Sequence, residues 1–168
     1  DPYKYYPDTM DDNFQNKIYE KREFYKNKIL PYEKSLDNYQ DIKEYRDSIC
    51  GGDFKLYTHQ SFLSNFINPN TPYKGLLIFH GVGTGKTGGA ISIAENFKNM
   101  VLKYGTKIHI LVPGPIIKKN WKDDIIKFTN KTYYENLKNQ KGFIFNDENI
   151  KKELWNINSQ YYKILSYK

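Results

Sequence analysis

HGVGTGKT, residues 80–87, decides how this chain is read, because it stands between a short apolar run and an amphipathic stretch. Ahead of it, Leu76, Leu77, Ile78 and Phe79 lack polar alternation, which predicts a strand over residues 75–79 covered on both faces. Behind it, Ala90, Ile91, Ala94, Phe97 and Val101 line one helical face, which predicts a helix over residues 87–104 stopped by Gly105. Strand, glycine-rich turn and helix, in that order, build a phosphate cradle. Backbone N–H groups surround an anion only where the chain wraps closely, and Gly81, Gly83 and Gly85 permit this by lacking a β-carbon. The start of the helix directs its unpaired amides and positive dipole end at the same point. His80, Gly81, Val82, Gly83, Thr84, Gly85, Lys86 and Thr87 are therefore the candidate ligands of a nucleoside triphosphate, ATP. Lys86 would bridge the β- and γ-phosphates, and the Thr87 hydroxyl would bind Mg²⁺. The usual pattern opens with Gly, where this chain has His80; from Gly83 to Thr87 the match is complete.

Working outward, residues 58–67 read as a helix, and the prolines and polar residues of 69–72 as a turn. A second strand, residues 108–112, runs into Pro113, Gly114 and Pro115. Ile117, Trp121, Ile125 and Phe128 then recur at helical steps, leaving Lys118, Lys119 and Lys122 off the buried stripe. This alternation predicts an α/β fold, a parallel sheet flanked by helices. Further strand candidates are residues 143–145 and 163–165, with a helix at 148–154 capped by Asp147. The N-terminal part differs. Phe14, Ile18, Tyr25 and Ile29 predict a helix over residues 11–29, ended by Pro31, and a second is expected over 35–49. Gly51 and Gly52 mark the boundary, giving a helical extension, residues 1–52, and a sheet-bearing unit, residues 53–168. The extension reads as a brace packed on the main unit or as a partner-binding arm, and no motif decides between them.

The 168 residues allow one domain with an appendage, and 39% hydrophobic with 17% aromatic content can bury a core. No apolar run is long enough to span a bilayer, so no membrane partner is expected, and the single Cys50 fits a reducing, intracellular setting. The net charge of +7 is uneven: residues 1–53 hold nine basic and twelve acidic side chains, residues 54–168 seventeen and seven. That excess attracts polyphosphate, whether a nucleotide or a nucleic-acid backbone. Lys, Asn, Ile and Tyr make up 75 residues, a skew that AT-rich coding also produces, so some lysines are simply solvated surface.

The Gly83 to Thr87 match, opened by a residue other than Gly, resembles motif I of superfamily 2 helicases and translocases. In Leu56-Tyr57-Thr58-His59-Gln60, Gln60 resembles the upstream glutamine of that superfamily, whose amide reads the adenine edge. Ile110-Leu111-Val112-Pro113, followed by a lysine-bearing helix, resembles its motif Ia, which grips one nucleic-acid strand. The resemblance implies nucleic-acid contacts at Pro113, Gly114, Lys118, Lys119 and Lys122. The two motifs together are most similar to the helicase-type subunit of the early transcription factor, and related DNA-dependent ATPases, of large cytoplasmic DNA viruses. It covers residues 54–128 well. It implies a RecA-like P-loop NTPase lobe using ATP and Mg²⁺, a DNA or RNA backbone as partner, and an RNA polymerase or another transcription-factor subunit as company. It also implies a location in host cytoplasm or virion.

Hydrolysis in that superfamily needs a Walker B strand ending in Asp-Glu. The one Asp-Glu pair after the loop is Asp147-Glu148, but Asn146 breaks the apolar run ahead of it, and Asp147 reads better as a cap. The expectation is a partial lobe ending before Walker B, able to bind nucleotide and poor at hydrolysing it alone, the longer ATPase being the active form. Two rival classes stand beside it: a P-loop kinase acting on a small molecule, against which residues 54–168 offer no arginine for a lid, and a non-catalytic assembly module.

Overall fold

The computed structural model describes residues 2–28, 37–50, 56–129 and 148–167. The Gly51–Gly52 boundary, the strand candidate at 143–145 and the Asp147 cap lie outside the described residues.

Two strands form a parallel pair. β1 (Ile108–Pro113) and β2 (Tyr162–Tyr167) run in register from Ile108 opposite Tyr162 to Pro113 opposite Tyr167. The crossover between them carries α7 (Gly114–Thr129) and α8 (Glu148–Ser159). Side chains alternate across a strand, so Tyr162 and Ile164 turn inward together, joining Val112 of β1 and Ile125 of α7. Ile91 of α5 (Lys86–Glu95) completes this core, with Trp121, Phe128 and Trp155 packed around it. Burial and a hydrogen bond to Glu95 push the Tyr162 hydroxyl's pKa well above its ordinary value. Lys98 pairs with the same Glu95 at 2.7 Å.

Residues 75–79 are a correction. They do not join the sheet; Leu76, Leu77 and Phe79 are exposed, Phe79 to 94%. An apolar run gains strand geometry only from a neighbour's backbone, and among the described residues β1 pairs with β2 instead. The helix after the loop is also shorter than the periodicity predicts. It breaks after Glu95 and resumes as α6 (Lys98–Lys103), where the Asn96 amide leaves the helix to donate to Ser64 O at 2.7 Å. Gly105 stops α6 with φ +61°, as expected of a left-handed cap.

In the N-terminal part, α1 (Phe14–Glu20) and α2 (Arg22–Tyr25) replace the single helix predicted over 11–29. Lys21, at φ −74° and ψ 131°, is extended, and this one residue shifts the helical phase. Phe24 therefore goes inward, fully buried, while Tyr25 is 64% exposed. Ile18 and Phe24 pack with Phe66 and Tyr73, and Phe66 lies against Tyr73 with ring centroids 4.3 Å apart. Tyr73 donates to Pro7 O at 3.0 Å, and burial, with Tyr6, Asp8 and Glu23 nearby, pushes its pKa up to about 12. α3 (Tyr39–Cys50) starts later than the 35–49 prediction and exposes Tyr39 and Ile42. No helix among the described residues is long and apolar enough to cross a membrane.

Candidate nucleotide-binding site

The 80–87 loop leads straight into α5, and its backbone supplies the turn that the glycines allow. Gly83 and Gly85 have φ of +81° and +74°, a region closed to most side chains, and Gly85 is the residue before the helix. The helical ladder begins with Gly89 N–H donating to Gly85 O. The amides of Lys86, Thr87 and Gly88 precede it and have no carbonyl within the helix to serve. Lys86 is exposed and folds back over the loop, donating to His80 O at 2.9 Å and Gly81 O at 2.7 Å. Thr84 closes the turn by donating to Gly81 O at 2.9 Å. Val82 and Gly83 stand open to solvent, and Thr87, half-buried, sits one residue inside the helix.

A second element holds this loop from behind. α4 (Thr58–Phe66) approaches α5 closely because Gly88 and Gly89 face it, both buried. Leu63 Cδ1 would stand 3.2 Å from a β-carbon at Gly89. From α4, the buried Gln60 donates through Nε2 to Gly85 O at 2.8 Å and accepts from Tyr57 N–H at 2.9 Å. Both ends of the amide are engaged within the chain, where the adenine edge is its expected partner from the resemblance. Helix capping explains the position: Gln60 is the third residue of α4, where a side chain reaches back to the residue before the helix. His59, which the motif reading passed over, adds a second hold by donating from Nε2 to Thr84 O at 3.0 Å. Its ring stacks on Tyr57 and meets His80 edge-on at 5.4 Å. The adjacency of His59 to Gln60 was the available signal.

Gln60→Glu tests the hold. The new carboxylate would keep the bond from Tyr57 N–H but face Gly85 O with a second acceptor, losing about 1 to 3 kcal/mol. Such a carboxyl has its pKa raised in the folded state. The stability it retains is present below the unfolded value, near 4.3, and is lost as pH rises through the folded one. Thermal melts are expected to show the variant close to wild type near pH 4 and clearly less stable at pH 7.5. An equal deficit at both pH values would mean that the Gly85 contact is not what the substitution removes.

The expected nucleic-acid contacts divide. Pro113 ends β1, exposed, and Gly114, φ +77°, turns the chain into α7. Lys119 and Lys122 line a groove between α7 and α8, and Lys118 lies off it. Desolvation raises the pKa of Asp124 on the same helix, Asp123 adding to the rise and Lys127 opposing it.

Residues 41–166 match the family described as type III restriction enzyme, res subunit. A "Putative ATP-dependent RNA helicase" of Acanthamoeba polyphaga mimivirus is 52% identical over 166 residues, 97% of this chain and 14% of the relative. A "Putative helicase" of Invertebrate iridescent virus 3 is 37% identical over 108 residues, 59% of this chain and 11% of the relative. An "Early transcription factor large subunit homolog" of African swine fever virus (isolate Tick/Malawi/Lil 20-1/1983) is 46% identical over 50 residues, 30% of this chain and 5% of the relative. The chain thus spans about a seventh of the length of the mimivirus relative. No solved structure matches it.

Proposed function

The chain belongs to the family of the type III restriction enzyme res subunit, among the superfamily 2 helicases, and from that membership we propose that it is the ATP-binding lobe of a nucleic-acid-dependent motor acting in viral early transcription. The observation that carries the nucleotide assignment is the Lys86 ammonium, drawn over an exposed glycine loop and held by two backbone carbonyls. A cation on that loop, which leads into a helix whose first three amides have no helical partner, supports a site for anionic oxygens. On this ground the loop suits a triphosphate, and in this reading Thr87, half-buried at the second position of α5, would hold Mg²⁺. Bound Mg²⁺ would neutralise charge between the β- and γ-phosphates. Lys86 exchanges its carbonyls for phosphate oxygens. Gly81, Gly83 and Gly85 let the backbone close in, while Gln60 and His59 hold the loop's far side against α4.

In this reading residues 53–168 are the lobe and residues 1–52 an extension docked through Phe24 onto α4. The nucleic-acid backbone contacts Pro113, Gly114, Lys118, Lys119 and Lys122, and the site of action is host cytoplasm or virion. The transcription role, with an RNA polymerase or another transcription-factor subunit as company, is supported by the short similarity to the African swine fever virus relative and by its printed name.

Titration with a fluorescent ATP analogue in Mg²⁺ tests the core of this. Saturable binding, displaced by ATP and lost on chelation of Mg²⁺ by EDTA, is the expected outcome. A chain that keeps its fold and binds no triphosphate at millimolar concentration would end the motor reading.

A further inference from the structure

We propose that a nucleic-acid strand at the Pro113–Gly114 turn continues into the groove between α7 and α8, where Lys151 and Lys152 of α8 grip its phosphates alongside Lys119 and Lys122 of α7. The inference rests on the strand-gripping reading above and adds to it a helix that no motif marks.

The groove has a volume of about 330 Å³. Its walls bring four ammonium groups together against two carboxylates, Asp123 and Glu148. Asp123 lies 3.9 Å from Lys151, so one of the negative charges is partly spent inside the groove. The excess of positive charge is what a phosphate chain complements.

The direction of the two helices ties the groove to the turn. Lys122 lies over the Trp155 ring at 4.9 Å, Asp123 faces Lys151, and Thr129 donates to Asn158 Oδ1 at 2.9 Å. From the Asp123–Lys151 pair to the Thr129–Asn158 bond the contacts advance along both helices, and α7 leaves one strand of a parallel pair while α8 leads into the other, so α7 and α8 run parallel. α7 starts at the turn itself, at the end of the sheet where Pro113 is paired with Tyr167. The first turns of α8 therefore stand at that same end, and Lys151 and Lys152 extend the row that Lys119 begins.

The lysines are suited to a backbone rather than to a base edge. An ammonium is a point charge without the fork that fixes a guanidinium to one acceptor pair, so it grips successive phosphates without reading sequence. Lys122 is positioned in advance by the Trp155 ring, which is itself packed on the core. An acidic protein segment would meet the same charge. The strand is favoured because the lysine row begins at the turn the strand is expected to cross.

The test is fluorescence anisotropy with a labelled 20-nucleotide oligothymidylate, measured over a salt series. The Lys151→Ala/Lys152→Ala variant is expected to bind about fivefold or more weakly. Its log affinity against log salt should be shallower by about 1.4, the share of two phosphate contacts on a single strand. Lys152 is exposed and Lys151 half-buried, so the melting temperature should stay near wild type, and Lys151→Arg/Lys152→Arg should restore binding. Wild-type affinity and slope in the alanine variant, with binding weakened by Lys119→Ala/Lys122→Ala, would overturn the α8 groove and leave the strand reading standing. No oligonucleotide binding by the wild-type chain at low salt would overturn both. Polyglutamate bound with the same dependence on Lys151 and Lys152, in a chain that ignores the oligonucleotide, would assign the groove to an acidic protein instead.

Discussion

Lys86→Ala is expected to weaken Mg-ATP binding by about 100-fold or more while leaving the melting temperature within a degree or two of wild type. The bonds that Lys86 makes in this structure, to His80 O and Gly81 O, are exposed to water. Exchanging them for water leaves no polar group unsatisfied, so the cost to stability is on the order of a few tenths of a kcal/mol in all. Phosphate oxygens are different acceptors. A hydrogen bond to a charged partner is worth about 1.5 to 3 kcal/mol, and one ammonium can make two along the triphosphate. Subtracting the carbonyl bonds given up on binding leaves about 3 kcal/mol, which is about a 100-fold change in the dissociation constant. Lys86→Arg should not rescue it, because a planar guanidinium cannot occupy the same hollow between two carbonyls as a point charge. Isothermal titration with ATP and Mg²⁺, beside a thermal melt of each variant, separates capture from folding. Retention of wild-type affinity by Lys86→Ala would place the phosphates elsewhere.

How far the site was legible in advance follows from which forces are local. Positive φ at Gly83 and Gly85, the start of α5 at Lys86 and the stop at Gly105 are one-residue or one-turn effects, and each is readable from residue type. β1, α4 and α7 were equally plain, because their apolar spacing sets their own faces. Phase was not. The single extended residue Lys21 exchanged Tyr25 for Phe24 in the core, and periodicity has no way to register a break that lacks Gly or Pro. Pairing was not legible either: the apolar run at 75–79 looks like a buried strand, yet a strand is a relation between two segments. Gln60 is the instructive case within the site. Its place upstream of the loop is readable from sequence, but the capping geometry that turns its amide toward Gly85 O depends on how closely α4 approaches α5. That distance is set by two glycines inside a helix, whose usual meaning in sequence is only a weaker helix.

Gly88→Ala turns this last point into a measurement, with an expected loss of about 2 to 3 kcal/mol of stability. Inside a helix, alanine ought to stabilise relative to glycine by about 1 kcal/mol. Here a β-carbon would stand 2.6 Å from Phe128 Cζ, 2.8 Å from Phe128 Cε1 and 2.9 Å from Gln60 Nε2. Phe128 is packed against the core that holds Ile91 and Ile125, so its ring cannot retreat without disturbing that core. Overpacking of this kind costs about 1 to 3 kcal/mol. Moving Gln60 breaks its bonds to Gly85 O and from Tyr57 N–H, worth about 1 kcal/mol each. The sum outweighs the propensity gain, and for a chain of this size it corresponds to about 5 to 10 °C in melting temperature. Two controls grade the effect. A β-carbon at Gly89 meets the end of Leu63 at 3.2 Å and Gln60 Cγ at an ordinary contact of 3.8 Å, so Gly89→Ala should fall near zero, clash and propensity offsetting each other. Gly75 has no heavy atom within 4 Å of an added β-carbon, so Gly75→Ala should be silent. If nucleotide affinity also falls in Gly88→Ala, by more than the fraction unfolded explains, the α4–α5 contact positions the loop as well as supporting it. A Gly88→Ala chain that melts with or above the wild type would mean that neither Phe128 of α7 nor Gln60 of α4 lies this close to α5, and the hold of Gln60 on the loop would go with it.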